Sequence, residues 1–384
     1  MQNFSFETIR ACSKLPDLLL PWYAENARLL PWRQDQEPYH IWLSEIMLQQ
    51  TRVETARSYY LRFLEEVPGI PELAALPEER LLKLWEGLGY YSRARNLQKA
   101  AKKILQEHGG LFPREHKEIL ALPGVGPYTA GAISSICFDQ PRPAVDGNVL
   151  RLLSRLLALE QPIELPTTKT AITALLEESY PRSEEFPTGS CGKFTQALME
   201  MGALVCSSKN PRCRSCPLAE PLCRAKAEGR VERFPLRLAK REKRREQRTV
   251  FLLQQEDKIA LEQREEPGLL SGLWQLPNQS GSLSPVEALQ QVEALGLQPL
   301  QLCRELKREH VFTHIIWEMR CYHILCAGDG GLCWAGEEEL ARKYALPTAF
   351  RIFLEAVPLF GKKPPEQAGS EAENCLLPFS FWTD

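Results

Sequence analysis

The sequence predicts two folded parts, an all-α N-terminal half and an α+β C-terminal domain. Three observations lead there: apolar residues at helical spacing through residues 38 to 225, a polar and strongly basic stretch from 224 to 248, and strand-like texture after it. The 384 residues are enough for two separate cores. Hydrophobic residues at 44% and charged residues at 25% are ordinary globular values, which excludes a disordered chain.

The start, "MQNFSFETIRACSKLPDLLLPWYAENARLL", mixes acids and bases among its apolar residues, so no signal peptide is expected. No apolar run approaches the roughly 20 residues of a membrane helix, so a cytoplasmic protein with no membrane partner is expected. In "YHIWLSEIMLQQTRVETARSYYLRFLEEV", Ile41, Trp42, Met47, Val53, Tyr60 and Leu64 recur near helical spacing, with Pro38 at the start and Pro68 past the end. "EERLLKLWEGL", "SRARNLQKAAKKILQEHGG", "REHKEILAL", "YTAGAISSICF" and "GNVLRLLSRLLAL" repeat the pattern between Pro, Gly or Asp boundaries.

Residues 226–245 are expected to be a basic interdomain linker, because a run such as "KREKRREQR" cannot bury a core; phosphate contact is the equal alternative. After it, "TVFLLQQEDKIALEQR" and "WEMRCYHILCA" read as strands and "SPVEALQQVEAL" as a helix, giving an α+β domain over 246–360. Residues 361–384 read as a tail whose apolar end can dock on this chain or on a partner. The net charge of -2 excludes a uniformly basic nucleic-acid binder but not a local basic face.

Four stretches carry chemistry. "ALPGVGPYTAGAI" sets Gly124, Val125 and Gly126 between two apolar helices, the layout of a helix-hairpin-helix whose following amides can hold a phosphate oxygen. In "AVDGNVLRLLSRLL", Asp146 stands at a helix N-cap, where amide hydrogen bonds favour the ionised form. Glu45, a lone acid in "IWLSEIMLQQT", lies between Ile41 and Leu48, surroundings that favour the neutral form. One protonated and one ionised carboxyl suit cleavage of a glycosidic bond through an oxocarbenium-like transition state; for Glu45 alone, a buried structural ion pair is the alternative. Cys206, Cys213, Cys216 and Cys223, four of twelve cysteines, crowd into C-x6-C-x2-C-x6-C, a set that can hold a [4Fe-4S] cluster or a zinc ion.

Together these stretches resemble the helix-hairpin-helix, iron-sulfur DNA glycosylases, specifically the MutY-type adenine DNA glycosylases. The likeness runs in order from about residue 20 to 360, through "LPWR", "IWLSEIMLQQTRVETA", "GLGYYSRARNL", "LPGVGPYTAGAI", "VDGNV", "ALMEMGALVC" and the cysteines. It implies a glycosylase domain over 1–225 carrying a [4Fe-4S] module, and a Nudix-like domain over 246–360. By resemblance Glu45 is the general acid that protonates adenine at N7, Asp146 stabilises or traps the sugar cation, and Asn148 and Tyr128 line their site. Arg33, Trp32, Leu48, Gln196 and Met199 match the adenine pocket. Gln50 and Tyr90 match residues that wedge into the duplex, with Thr51 and Leu88 near the opposite base. Phe312, Thr313 and His314 fall on the loop that contacts 8-oxoguanine.

Two departures stand out. Thr313 replaces a common serine, and the last cysteine gap is one residue longer than usual. The resemblance further implies a monomer acting at the nucleoid on double-stranded DNA that holds an 8-oxoguanine:adenine or guanine:adenine mispair. The bifunctional endonuclease III-like relatives place a lysine where this chain has Tyr128, and a phenol cannot form their Schiff base. A monofunctional enzyme is therefore expected over that alternative. A non-enzymatic DNA-binding protein is disfavoured because Glu45 and Asp146 are both present. Near "EALQQVEALGL" too few carboxylates remain to hold Mg2+, so the second domain is expected to recognise and not to hydrolyse.

Overall fold

The computed structural model describes residues 4–182, 184–239, 242–265 and 268–357; the expected tail at 361–384 lies outside the described residues. By backbone proximity the chain divides into two compact units, Met1–Ala75 with Arg95–Lys240 and Leu76–Ala94 with Arg241–Asp384. No described helix is long and apolar enough to cross a membrane.

The first unit is helical. It contains α1 (Phe6–Cys12), α2 (Leu15–Asn26), α3 (Pro38–Leu48), α4 (Val53–Glu66) and α5 (Ile70–Ala75). The chain then passes through α6 (Glu78–Leu84), in the second unit, and returns along α7 (Ser92–His108). Next come α8 (His116–Leu120), α9 (Pro127–Phe138), α10 (Gly147–Leu157), α11 (Pro166–Glu177), α12 (Ser190–Glu200) and α13 (Arg224–Ala227). α10 shows the local logic. Asp146 caps its start, Ala158 ends it in the left-handed region, and Leu150, Leu153 and Leu157 are all buried. Leu153 packs into one core with Leu15, Leu19, Leu176, Phe194 and Met201. Each such side chain contributes about 1.5–3 kcal/mol of burial.

The second unit is a mixed sheet between helices. Its strands are β1 (Arg244–Gln255), β2 (Lys258–Gln263), β3 (Trp274–Gln275), β4 (Asn278–Ser280), β5 (Gln298–Val311), β6 (Ile315–Ala327) and β7 (Cys333–Ala335). They run in the order β3-β2-β1-β6-β5, with β4 on β1 and β7 on β2; β1 and β6 are parallel and the other pairs antiparallel. Side chains alternate between faces, as the strand period of two requires. Val250 and Leu252 meet Phe350 and Phe353 of α16 (Thr348–Leu354), while Phe251 and Leu253 meet Ala288 and Val292 of α14 (Pro285–Ala294). α14 starts with a Ser284–Glu287 capping box. A further helix, α15 (Glu337–Arg342), follows β7.

Two expectations need correction. The single helical pattern after Pro38 is two helices, because Gln50 sits at φ 60 between α3 and α4. Such a left-handed residue costs about 1–2 kcal/mol, so tertiary context overrides the periodicity there. The basic stretch is not a free linker at either end. Phe234 is fully buried, Arg155 donates to its carbonyl at 3.0 Å, and Ile163 donates to the carbonyl of Leu236 at 3.1 Å. Arg244–Arg248 open β1, where Arg245 meets Glu318 at 2.5 Å and also pairs with Glu309, so acids on neighbouring strands offset the charge. By backbone proximity residues 76–94, which the helical pattern places in the N-terminal domain, group with the second unit.

Candidate active site

A cavity of about 410 Å³ in the first unit gathers most of the expected residues. Glu45 enters from α3, Tyr128 from the first turn of α9, and Asp146 and Asn148 from the start of α10. Glu45 is only 6% exposed. Burial pushes its carboxyl up to about 7; the nearby Asp146 charge pushes the same way, while the Tyr128 hydrogen bond and Arg33 oppose it. Tyr128 Oη donates to Glu45 Oε2 at 2.6 Å. Burial, and then Glu45 itself, hold that phenol well above its usual range, so it remains a donor.

Asp146 is held more firmly. One oxygen accepts the amides of Asn148 at 2.9 Å and Val149 at 2.8 Å, and the other accepts Asn148 Nδ2 at 2.6 Å. These bonds lower its pKa, yet burial outweighs them and the net direction is upward, contrary to the capping argument alone. The difference from Glu45 lies in the donors: among the described residues three bonds aim at Asp146, two of them from helix N-terminal amides, and one aims at Glu45. The arrangement is locked from behind. Arg151 Nη2 donates to Asn148 Oδ1 at 2.9 Å and to the Gly202 carbonyl at 2.7 Å, while its Nε donates to the Cys206 carbonyl at 2.8 Å. A Cβ on Gly202 would meet Asn148 Cβ at 2.6 Å and its carbonyl oxygen at 2.9 Å, so only glycine admits this approach.

Trp32, Arg33, Leu48, Gln50, Thr51, Gln196 and Met199 also line the cavity. Arg28 and Glu200 were missed by sequence reasoning. Glu200 is fully buried, accepts Arg28 Nε at 2.9 Å, and pairs with Arg33. The signal was available, since "ALMEMGALV" isolates an acid among apolar residues as "IWLSEIML" does.

The hairpin agrees in part with its motif. Gly124 adopts φ +77, and a Cβ there would meet Asn96 Cβ at 2.7 Å. Gly126 is extended, at φ -98, and caps α9 without a side chain. It therefore supplies no positive φ, and with Pro127 lacking an N–H, the first α9 amides belong to Tyr128 and Thr129. Cys206, Cys213, Cys216 and Cys223 line one small cavity with Arg155, whose Nη1 lies 3.4 Å from Cys206 Sγ. Burial first, then the other three thiols, lift Cys216 to about 11.

The remaining expected residues belong to the second unit. Tyr90 is 46% exposed, Thr313 and His314 are exposed, and Phe312 is half-buried against Trp317. Tyr90 Oη lies 2.7 Å from Thr313 Oγ1. Leu88, expected near the opposite base, is buried, because the turn through Gly87 and Gly89 folds it inward.

The family described as HhH-GPD superfamily base excision DNA repair protein matches residues 43–182, and the NUDIX domain family matches 249–356. An adenine DNA glycosylase of Rattus norvegicus is 34% identical, the match covering 88% of this chain and 77% of that protein. The adenine DNA glycosylase of Homo sapiens is 32% identical, covering 94% and 77%. Among solved structures, a thermostable thymine-DNA glycosylase is similar with a TM-score of 0.51 at 27% identity, over 57% of this chain and 98% of that one.

Proposed function

Since the chain belongs to the adenine DNA glycosylases of the HhH-GPD superfamily, we propose that it removes adenine mispaired with 8-oxoguanine or guanine and stops at the abasic site. The observation that carries this reading is Glu45, buried, lifted to about 7 and hydrogen-bonded by Tyr128, on the same cavity as Asp146.

The substrate is duplex DNA, with the adenine extruded into the cavity. Flipping costs a few kcal/mol of stacking, offset by contacts to the base from Trp32, Arg33, Leu48, Gln196 and Met199. Glu45, largely neutral below pH 7, gives its proton to adenine N7. The glycosidic bond then breaks with its electrons passing to the base, and the sugar becomes cationic. Asp146, held by three donors, stabilises or traps that cation until water adds. Tyr128 orients Glu45 and offers no amine, which supports hydrolysis without strand cleavage. The amides after Gly126 would take a backbone phosphate.

In the second unit, Thr313 would read 8-oxoguanine with Phe312 and His314 beside it. Its α14 spends Glu287 on the capping box, which supports recognition without Nudix hydrolysis. Cys206, Cys213, Cys216 and Cys223 would hold a [4Fe-4S] cluster. The fit rests on the donor set: four thiols line one shared cavity beside Arg155. When bound, the cluster would supply structural and electrostatic support, since breaking a glycosidic bond transfers no electrons. A cytoplasmic monomer acting at the nucleoid completes the proposal.

The test uses a duplex with adenine opposite 8-oxoguanine, analysed with and without hot alkali. Strand breaks only after alkali are expected. Breaks without alkali would favour a bifunctional lyase, and no breaks in either sample would remove the activity altogether.

A further inference from the structure

The segment carrying Leu88 and Tyr90 leaves the first unit after Ala75 and rejoins it at Arg95. Within the second unit, a part-buried ion pair anchors it. Lys83, near the end of α6, donates to Glu86 Oε2 at 2.6 Å, to the Leu340 carbonyl at 2.6 Å and to the Tyr344 carbonyl at 3.0 Å. An ammonium has three protons, and all three are used. Leu340 and Tyr344 lie in and just beyond the last turn of α15, where helix carbonyls lack partners and a cation is favoured. The other Glu86 oxygen accepts the Leu346 amide at 2.7 Å, and Arg351 Nη1 stands 3.7 Å from Oε2. The Lys83 and Glu86 side chains are only 9% and 12% exposed, so the pair is largely withdrawn from water and its geometry is fixed.

From Glu86 the chain turns through Gly87 at φ +98 and Gly89 at φ +69 to Tyr90, itself left-handed at φ +48. Arg93 Nη2 clamps the turn by donating to the Leu88 carbonyl at 2.9 Å and the Gly89 carbonyl at 3.0 Å, and Trp85 Nε1 donates to the latter at 3.1 Å. At the tip, the Tyr90 hydroxyl meets that of Thr313. The loop is thus held at its base by charge and at its tip by a hydroxyl pair.

We propose that Lys83 and Glu86 are positioning residues for DNA distortion: they fix the Tyr90 loop to the unit that reads the base opposite adenine, so wedging and reading are one coupled event. The inference rests on the roles proposed above for Tyr90 and Thr313. Loosening this tie weakens both adenine extrusion and the preference for 8-oxoguanine, without touching Glu45.

The experiment compares full-length wild type, Lys83→Met/Glu86→Leu and Lys83→Gln. The double variant removes both charges together and leaves none buried alone. Single-turnover excision is measured opposite 8-oxoguanine and opposite guanine, and fluorescence of a 2-aminopurine beside the 8-oxoguanine reports unstacking. Displacing the loop is expected to lower the 8-oxoguanine rate about tenfold or more, with a matching loss of preference and of fluorescence rise. Lys83→Gln, whose amide keeps two neutral N–H donors while Arg351 still faces Glu86, should fall between, and it decides the matter should the double variant not fold. Folded variants with wild-type rate, preference and fluorescence would overturn the inference. A wild type with no preference for 8-oxoguanine would sink the reading beneath it, and the inference with it.

Discussion

Glu45 and Thr313 occupy opposite environments. The first is a carboxyl 6% exposed inside a helical unit, its proton retained because burial penalises the anion. The second is an exposed hydroxyl on the β5–β6 turn, paired with Tyr90. Under the proposed function, the contrast teaches what each task asks of water. Holding a proton near neutral pH needs a dry site built before substrate arrives, whereas reading a base needs a polar group kept accessible until the base supplies its partner.

The sharpest way to break the comparison is Glu45→Gln. A general acid contributes about 10²–10⁴-fold, so excision should fall by that amount while duplex binding by gel shift persists. The same change should stabilise the protein. Because the folded state holds this proton up to about 7 against 4.5 ordinarily, the associated stability is full below pH 4.5 and lost as pH rises through about 7. At pH 8 thermal unfolding should find the variant more stable by up to about 3 kcal/mol, the value of the shift at about 1.4 kcal/mol per unit, with no difference at pH 4.

Gly202→Ala probes the other acid. Its methyl has no room against the Asn148 backbone, so a loss of about 1–3 kcal/mol in unfolding free energy is expected, together with slower excision. Tyr128→Phe removes one hydrogen bond to a charged group, about 1.5–3 kcal/mol, which favours the anion of Glu45. Its alkaline limb should move to higher pH, and an unmoved limb would deny the contact any role. The smallest effect belongs to Thr313→Ala. It should reduce preference for 8-oxoguanine over guanine by up to about tenfold, the worth of one neutral hydrogen bond, and leave the pH profile unchanged.

What the sequence disclosed follows the same division. Glu45 was legible as an acid in an apolar run and Asp146 as a cap raised in meaning by that partner, while Tyr128 was legible only through the family resemblance. They do share one cavity. Glu200 carries the same local signal, but its meaning lies in Arg28 and Arg33, over 160 residues away, where no spacing rule reaches. The break at Gln50 and the attachment of residues 76–94 to the second unit were hidden for the same reason. Helical periodicity continues through Lys83 and Glu86 whatever they bind, and their partners are backbone groups of α15 and the segment after it: Lys83 donates to the Leu340 carbonyl, and Glu86 accepts the Leu346 amide. Arg245 reads as part of a solvated charge run until β5 and β6 supply Glu309 and Glu318.

The most direct measurement follows kcat/KM for excision of adenine opposite 8-oxoguanine from about pH 5 to about pH 9, since that quantity reports the free enzyme's acid. A proton stored on Glu45 predicts a decline of about tenfold per pH unit above about 7, abolished in Glu45→Gln along with the activity. A profile flat to pH 9, or near-normal turnover by that variant, would contradict it.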